Sequence, residues 1–174
     1  MKVIFLDIDG VLNTTDTFQE NHFFWKKTGI HRPNIDEFRV KILKDIIEET
    51  GAKIVISSTL KSSLTRINNE FVSVDYDRDA IGLLEIFKKY NLEIYDITYK
   101  HNTGNRQNEI KGWLENNYVE CFVVIDDNTG DLSDFIGKEL VKTNYFKKDG
   151  VYGLCEFHKD IIINKLNQKV LIKK

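Results

Sequence analysis

Met1-Lys2-Val3-Ile4-Phe5-Leu6-Asp7-Ile8-Asp9-Gly10-Val11 opens the chain and decides its fold class. Val3 to Leu6 is a short apolar run with adjacent β-branched residues, ended by acid and glycine, which is how a strand buried on both faces of a parallel sheet reads. Two further runs repeat the pattern. Lys53 to Ile56 ends in Ser57 and Ser58, and Cys121 to Ile125 ends in Asp126 and Asp127. Helical periodicity fills the intervals. Ile35, Phe38, Ile42, Leu43, Ile46 and Ile47 make one apolar face of a helix opened by an Asn34/Glu37 capping box and closed by Gly51. A second helix is predicted over Asp79 to Tyr90, a strand over Leu92 to Ile97, and a third helix from about Arg106 with Ile110, Trp113 and Leu114 inward. A last strand over Leu140 to Thr143 and a helix over Glu156 to Asn167 complete the reading. Alternating strands and helices predict an α/β fold with a central parallel sheet covered on both faces, as one domain over 1–174. The stretches 13–32 and 61–78 carry no such pattern and are expected to be loops flanking a site opening.

Composition narrows the function classes. Twenty-five basic against twenty-seven acidic residues leave a net charge of −2, so no global positive field draws the chain to nucleic acid, although a local basic patch is compatible with it. Cys121 and Cys155 lack disulfide or zinc spacing and read as free thiols. No apolar run spans a membrane and the acidic start does not read as a signal peptide, so the expectation is a cytoplasmic protein with no membrane and no obligate protein partner.

The chemistry follows from the strand ends. In open α/β sheets ligands bind outside the carboxyl ends of the strands. There Asp7 and Asp9 are held in a tight loop that Gly10 helps to turn, and like charges so close call for a cation. Asp126 and Asp127 add acid to the same edge if their strand is a neighbour. Several carboxylate oxygens suit Mg²⁺, which binds substrate phosphate. With that ion, the Asp7 carboxylate can attack phosphorus while Asp9 exchanges a proton with the leaving oxygen and then with water. Ser57 or Ser58, and Lys100 or Arg106, follow the right elements to hold phosphoryl oxygens.

Asp7-Ile8-Asp9-Gly10-Val11 resembles the first motif, DxDx[TV], of the haloacid dehalogenase (HAD) superfamily, and the strand ending in Ser, the basic helix start and the acidic pair are similar to its later motifs. More narrowly, LDIDGVLN, KIVISSTLK, RQNEIKGWL and VVIDDN, followed by Gly153-Leu154, look like the small HAD domains related to phosphatase modules of RNA-repair proteins. The resemblance implies a three-layer Rossmann-like fold with a minimal cap, Asp7 as nucleophile and Asp9 as general acid/base. It also implies Mg²⁺ on Asp7, the Asp9 carbonyl and Asp127, with Asp126 the second choice. Ser58 is the favoured phosphate-binding hydroxyl, with Leu60 standing where relatives often carry Trp, and Arg106 is favoured over Lys100. The second Asp argues for phosphate rather than carbon–halogen chemistry.

About fifty residues separate the first two motifs, and the helix from Asn34 takes up most of them, which leaves room only for a small lid at 13–33. An open site of this kind implies an extended substrate: a phosphorylated small molecule, a nucleotide or a nucleic-acid end. In the lid, Phe23, Phe24 and Trp25 lie among Lys26, Lys27 and Arg32, either packing on the domain or offering Trp25 as a stacking rim for a base. The competing class is a HAD-like binding module without turnover. A signal-receiver domain fits less well, because it places its acceptor Asp on a later strand.

Overall fold

The computed structural model describes residues 1–99, 104–147 and 152–168. Five strands form a parallel sheet: β1 (Lys2–Leu6), β2 (Lys53–Ile56), β5 (Ile94–Ile97), β6 (Cys121–Asp126) and β7 (Leu140–Lys142), in the order β5-β2-β1-β6-β7. Five helices are described: α1 (Thr15–Thr28), α2 (Glu37–Thr50), α3 (Arg78–Lys89), α4 (Arg106–Glu115) and α5 (Glu156–Asn167). The two-residue period of each strand sorts its side chains to opposite faces. Ile4, Leu6, Ile54, Ile56, Val123 and Ile125 point to one core, shared with Leu43 of α2, Leu83 of α3 and Ile162 of α5. Val3, Phe5, Val55 and Val124 point to the other, where Ile110 and Trp113 of α4 meet Leu132 and Phe135. This is the three-layer α/β arrangement expected, and it explains why the strands read as continuous apolar runs.

Trp113 is only 1% exposed, so its indole N–H needs a partner, and it donates to the Asp96 carboxylate at 2.8 Å. Gly51 closes α2 with φ +67°, as its position suggested. The cap at the other end differs from the expected box: the Asp36 side chain accepts from the Phe38 N–H at 2.9 Å and α2 begins at Glu37. Asn34 instead bonds across elements, accepting from Asn21 at 3.1 Å and donating to Asp79 at 3.3 Å.

Two stretches read as irregular are ordered elements. Within 13–32 lies α1, fourteen residues long, none of whose side chains is buried; three of its four apolar residues, Phe23, Phe24 and Trp25, are consecutive, so they do not read as a helical stripe. Within 61–78, a short 3-10 turn at Thr59–Ser63 leads into an antiparallel hairpin of β3 (Leu64–Ile67) and β4 (Glu70–Ser73). Its two loop residues, Asn68 and Asn69, have φ of +51° and +69°, the left-handed pair that a two-residue hairpin turn needs. Among the described residues no helix is long and apolar enough to cross a membrane.

Candidate active site

β1 lies between β2 and β6, so the three polar strand ends converge. Register makes the convergence close. Leu6 is level with both Ile56 and Ile125, which sets Asp7 between Ser57 and Asp126. Backbone bonds continue the ladder one step beyond the strands, from Asp7 N–H to Ile125 O at 3.0 Å and from Ser57 N–H to Leu6 O at 2.9 Å.

Carboxylate oxygens of Asp7, Asp126 and Asp127 lie within 4.8 Å of one another. Asp7 and Asp126 are buried and Asp127 is half-buried. The Asp9 side chain is exposed and stands outside this trio. Arg106, the first residue of α4, reaches in with Nη1 at 3.4 Å from Asp7 and ion-paired to Asp126. Its placement follows from the Asp131 loop, whose carboxylate accepts the Arg106 backbone N–H at 2.9 Å. Lys100 lies outside the described residues.

Burial pushes the Asp7 carboxyl up from 3.8 to about 7; the Asp126 charge adds to the rise, against Arg106, the Ile8 N–H and the Ser58 hydroxyl. Asp126 is raised by burial against the pull of Arg106, and Asp127 by burial and then by Asp126. Burial works against the Arg106 charge, yet Asp7 and Asp126 outweigh it and hold the guanidinium protonated. One guanidinium faces three carboxylates, so full ionisation needs a further positive charge. An all-oxygen anionic donor set of this kind fits a hard divalent cation such as Mg²⁺.

The two serines after β2 differ in their surroundings. The Ser58 hydroxyl favours the Asp7 charge and accepts from the Leu60 N–H at 3.3 Å. Ser57 Oγ is fully buried and has no hydrogen-bond partner among the described residues. Trp25, 40% exposed on α1, is stacked on His31 with centroids 5.3 Å apart. It lines a hollow of about 220 Å³ with Phe18, His22, Arg32 and Asn34, and Asn34 also lines the 260 Å³ hollow that holds Asp9. The site and the aromatic helix are thus joined through one side chain.

Three supporting residues are not among the site residues expected from the sequence. Asn13, buried, donates to Asp9 at 2.9 Å and to Asn34 O at 3.0 Å, and its carbonyl accepts the Gly10 N–H at 3.1 Å. Thr143 Oγ1 donates to Gly10 O at 2.7 Å. Arg39 donates to Tyr152 O at 2.6 Å and Leu154 O at 2.9 Å, in space open only because Gly153 lacks a Cβ. Of these, Asn13 alone could have been suspected, as the last residue of LDIDGVLN.

Gly10 is required twice. Its φ is +72°, and a Cβ there would lie 2.5 Å from Asp127 Cγ. Gly10→Ala should therefore cost about 1–3 kcal/mol of stability and weaken Mg²⁺ binding at least tenfold by moving Asp127. Thermal melts and calorimetric titration check the two effects separately.

The sequence profile of the family described as HAD domain in Swiss Army Knife RNA repair proteins matches residues 3–151. No curated protein and no solved structure matches the chain.

Proposed function

The chain belongs to the HAD domains of Swiss Army Knife RNA repair proteins, and from that premise we propose that it is a Mg²⁺-dependent phosphomonoesterase working through an aspartyl-phosphate on Asp7. The observation that carries the reading is the junction of Asp7, Asp126 and Asp127 with Arg106 at the ends of adjacent strands. Asp7 and Asp127 would hold the ion with the Asp9 carbonyl. Asp126 is the second choice, being already engaged by Arg106 and by the Asn128 N–H at 2.8 Å. When bound, Mg²⁺ supplies charge that keeps Asp7 ionised and draws electron density from the phosphoryl group.

The Asp7 carboxylate attacks phosphorus and the bond to the leaving oxygen breaks, with Asp9 giving that oxygen its proton. Water then attacks the aspartyl-phosphate, Asp9 takes the water's proton, and the phosphorus–oxygen bond to Asp7 breaks to release phosphate. The exposure of Asp9 and its bond to Asn13 suit a group that must meet both leaving group and water. Arg106 and Ser58 face the transferring group's oxygens, with Gly10 leaving room and Ser57 as a second hydroxyl.

The substrate class proposed is a nucleotide or a nucleic-acid terminal phosphate, in keeping with a family named for RNA repair. Trp25, with Lys26, Lys27 and Arg32 nearby in sequence, is the proposed stacking rim. The test is phosphate release from small phosphomonoesters, nucleotides and oligonucleotides phosphorylated at the 3′ or 5′ end, with Mg²⁺ or EDTA. Metal-dependent release is expected, with oligonucleotides preferred. Absence of release from every substrate by folded, Mg²⁺-binding protein would turn the reading to a binding module. Trp25→Ala should raise KM for nucleotides or oligonucleotides about 5- to 100-fold, the worth of one stacked base, and leave small phosphomonoesters unaffected. A KM unchanged throughout would remove Trp25 from the substrate path.

A further inference from the structure

We propose that Lys61 and Glu109 form a positioning strut that holds Arg106 against Asp7 by tying α4 to the serine loop after β2. The inference rests on the phosphoryl-transfer reading of the Asp7 cluster and assigns a role to two residues outside it. Lys61 lies in the 3-10 turn that follows Ser58, and its backbone N–H and its ammonium both bond to the serine loop. Its backbone N–H donates to Ser58 O at 3.1 Å, and its ammonium lies 3.4 Å from Ser57 O and 2.7 Å from Glu109 Oε2. Glu109 is three residues beyond Arg106, on the same face of α4. The strut therefore joins the loop that carries the two serines to the helix turn that carries the guanidinium.

Glu109 is buried and Lys61 largely so, with side chains 5% and 12% exposed. Removing an ion pair from water seldom gains stability over apolar residues of the same volume, and its best-attested use is to fix registry. Registry is what this location needs. Arg106 must serve Asp7 and Asp126 from the first turn of a helix, where Asp131 accepts the Arg106 N–H and Asn105 the Asn108 N–H. A lateral slip of α4 by an ångström would carry the guanidinium from one carboxylate to the other, and misplacement on that scale costs about a hundredfold in rate.

The test uses Glu109→Gln, Lys61→Met, Lys61→Arg and the paired change Lys61→Met with Glu109→Leu. Each of the first two should lower kcat and kcat/KM together by about tenfold or more, with KM little changed, because the lost contact acts in the transition state. Lys61→Arg should keep activity within about threefold. The paired apolar change should melt near the wild type and still be slow, which a merely structural pair would not produce. Independently of turnover, the Arg106 guanidinium should give a restricted Nε–Hε signal by NMR in wild type and an averaged one in Glu109→Gln. An unchanged Arg106 signal in a folded Glu109→Gln protein overturns the strut, and so does wild-type kcat in both single variants. If the wild type releases no phosphate, the catalytic reading fails and the NMR signal alone decides the strut.

Discussion

Asp7→Asn abolishes phosphate release, by at least about a thousandfold, while the protein folds and melts at a higher temperature than wild type in EDTA at pH 8. The two halves of this expected result have one cause. In the proposed mechanism the carboxylate that forms the covalent intermediate has no substitute in the site, and removal of a nucleophile costs as much as losing the machinery that serves it. Yet Asp7 stands next to Asp126 in a buried setting that disfavours its charge. The amide keeps the shape and removes the repulsion, and Arg106 retains Asp126 as partner. Stability gained where activity is lost marks a site whose strain serves function rather than the fold. Phosphate release and thermal melts on the same preparation check both. A variant that is inactive and also destabilised would point to a structural role for Asp7, and residual release above about a hundredth of wild type would reassign the nucleophile.

The sheet was legible because its strands are buried on both faces, so that VIFL, KIVI and CFVVI stand out as apolar runs whatever surrounds them. The helices with apolar faces, α2, α3, α4 and α5, declared themselves by period. α1 did not: its aromatic residues Phe23, Phe24 and Trp25 fall together rather than at helical spacing, and its Thr14 start and Gly29 stop were weak signals beside them. The hairpin was hidden for a related reason, since three of the four residues of β3 are exposed and only Asn68-Asn69 marked its turn. At the site, Asp7, Asp126 and Asp127 could be named from strand ends alone, because parallel strands deliver their carboxyl ends to one edge. Which strands are neighbours decides whether those ends meet, and the sequence does not state strand order. The contacts of Thr143 with Gly10 and of Lys61 with Glu109 were illegible because each joins residues from different elements, 133 and 48 positions apart, whereas Asn13 meets Asp9 within one loop.

Mg²⁺ should raise the melting temperature much more at pH 8 than at pH 5, and in EDTA the protein should lose stability as pH rises from about 4 to 7. The sign follows from Asp7. In the unfolded chain its carboxyl releases a proton at its ordinary value of 3.8, whereas in the fold burial and Asp126 keep the proton on up to about 7. Between those values the folded state binds more protons than the unfolded, so stability falls with pH, by on the order of 4 kcal/mol once both have ionised. Asp126 and Asp127 are shifted in the same direction and steepen the decline. Carboxylates whose ordinary value is lowered, such as Asp77 capping α3 through bonds from Ser63 and the Ala80 and Asp79 N–H groups, lose their contribution only as pH falls further, on the acid side of this window. Mg²⁺ reverses the decline because it competes with protons for the same oxygens. At a concentration about a hundred times its dissociation constant it returns about 2.7 kcal/mol, and it returns little at pH 5, where Asp7 in the fold is still protonated. Melts at pH 5, 6, 7 and 8 in EDTA or Mg²⁺, for wild type and Asp7→Asn, resolve the contribution of this carboxylate, since the amide should flatten much of the EDTA curve. Equal Mg²⁺ shifts at pH 5 and pH 8 would mean that the ion binds elsewhere than on this cluster, and a flat EDTA curve in wild type would mean that Arg106 alone neutralises it.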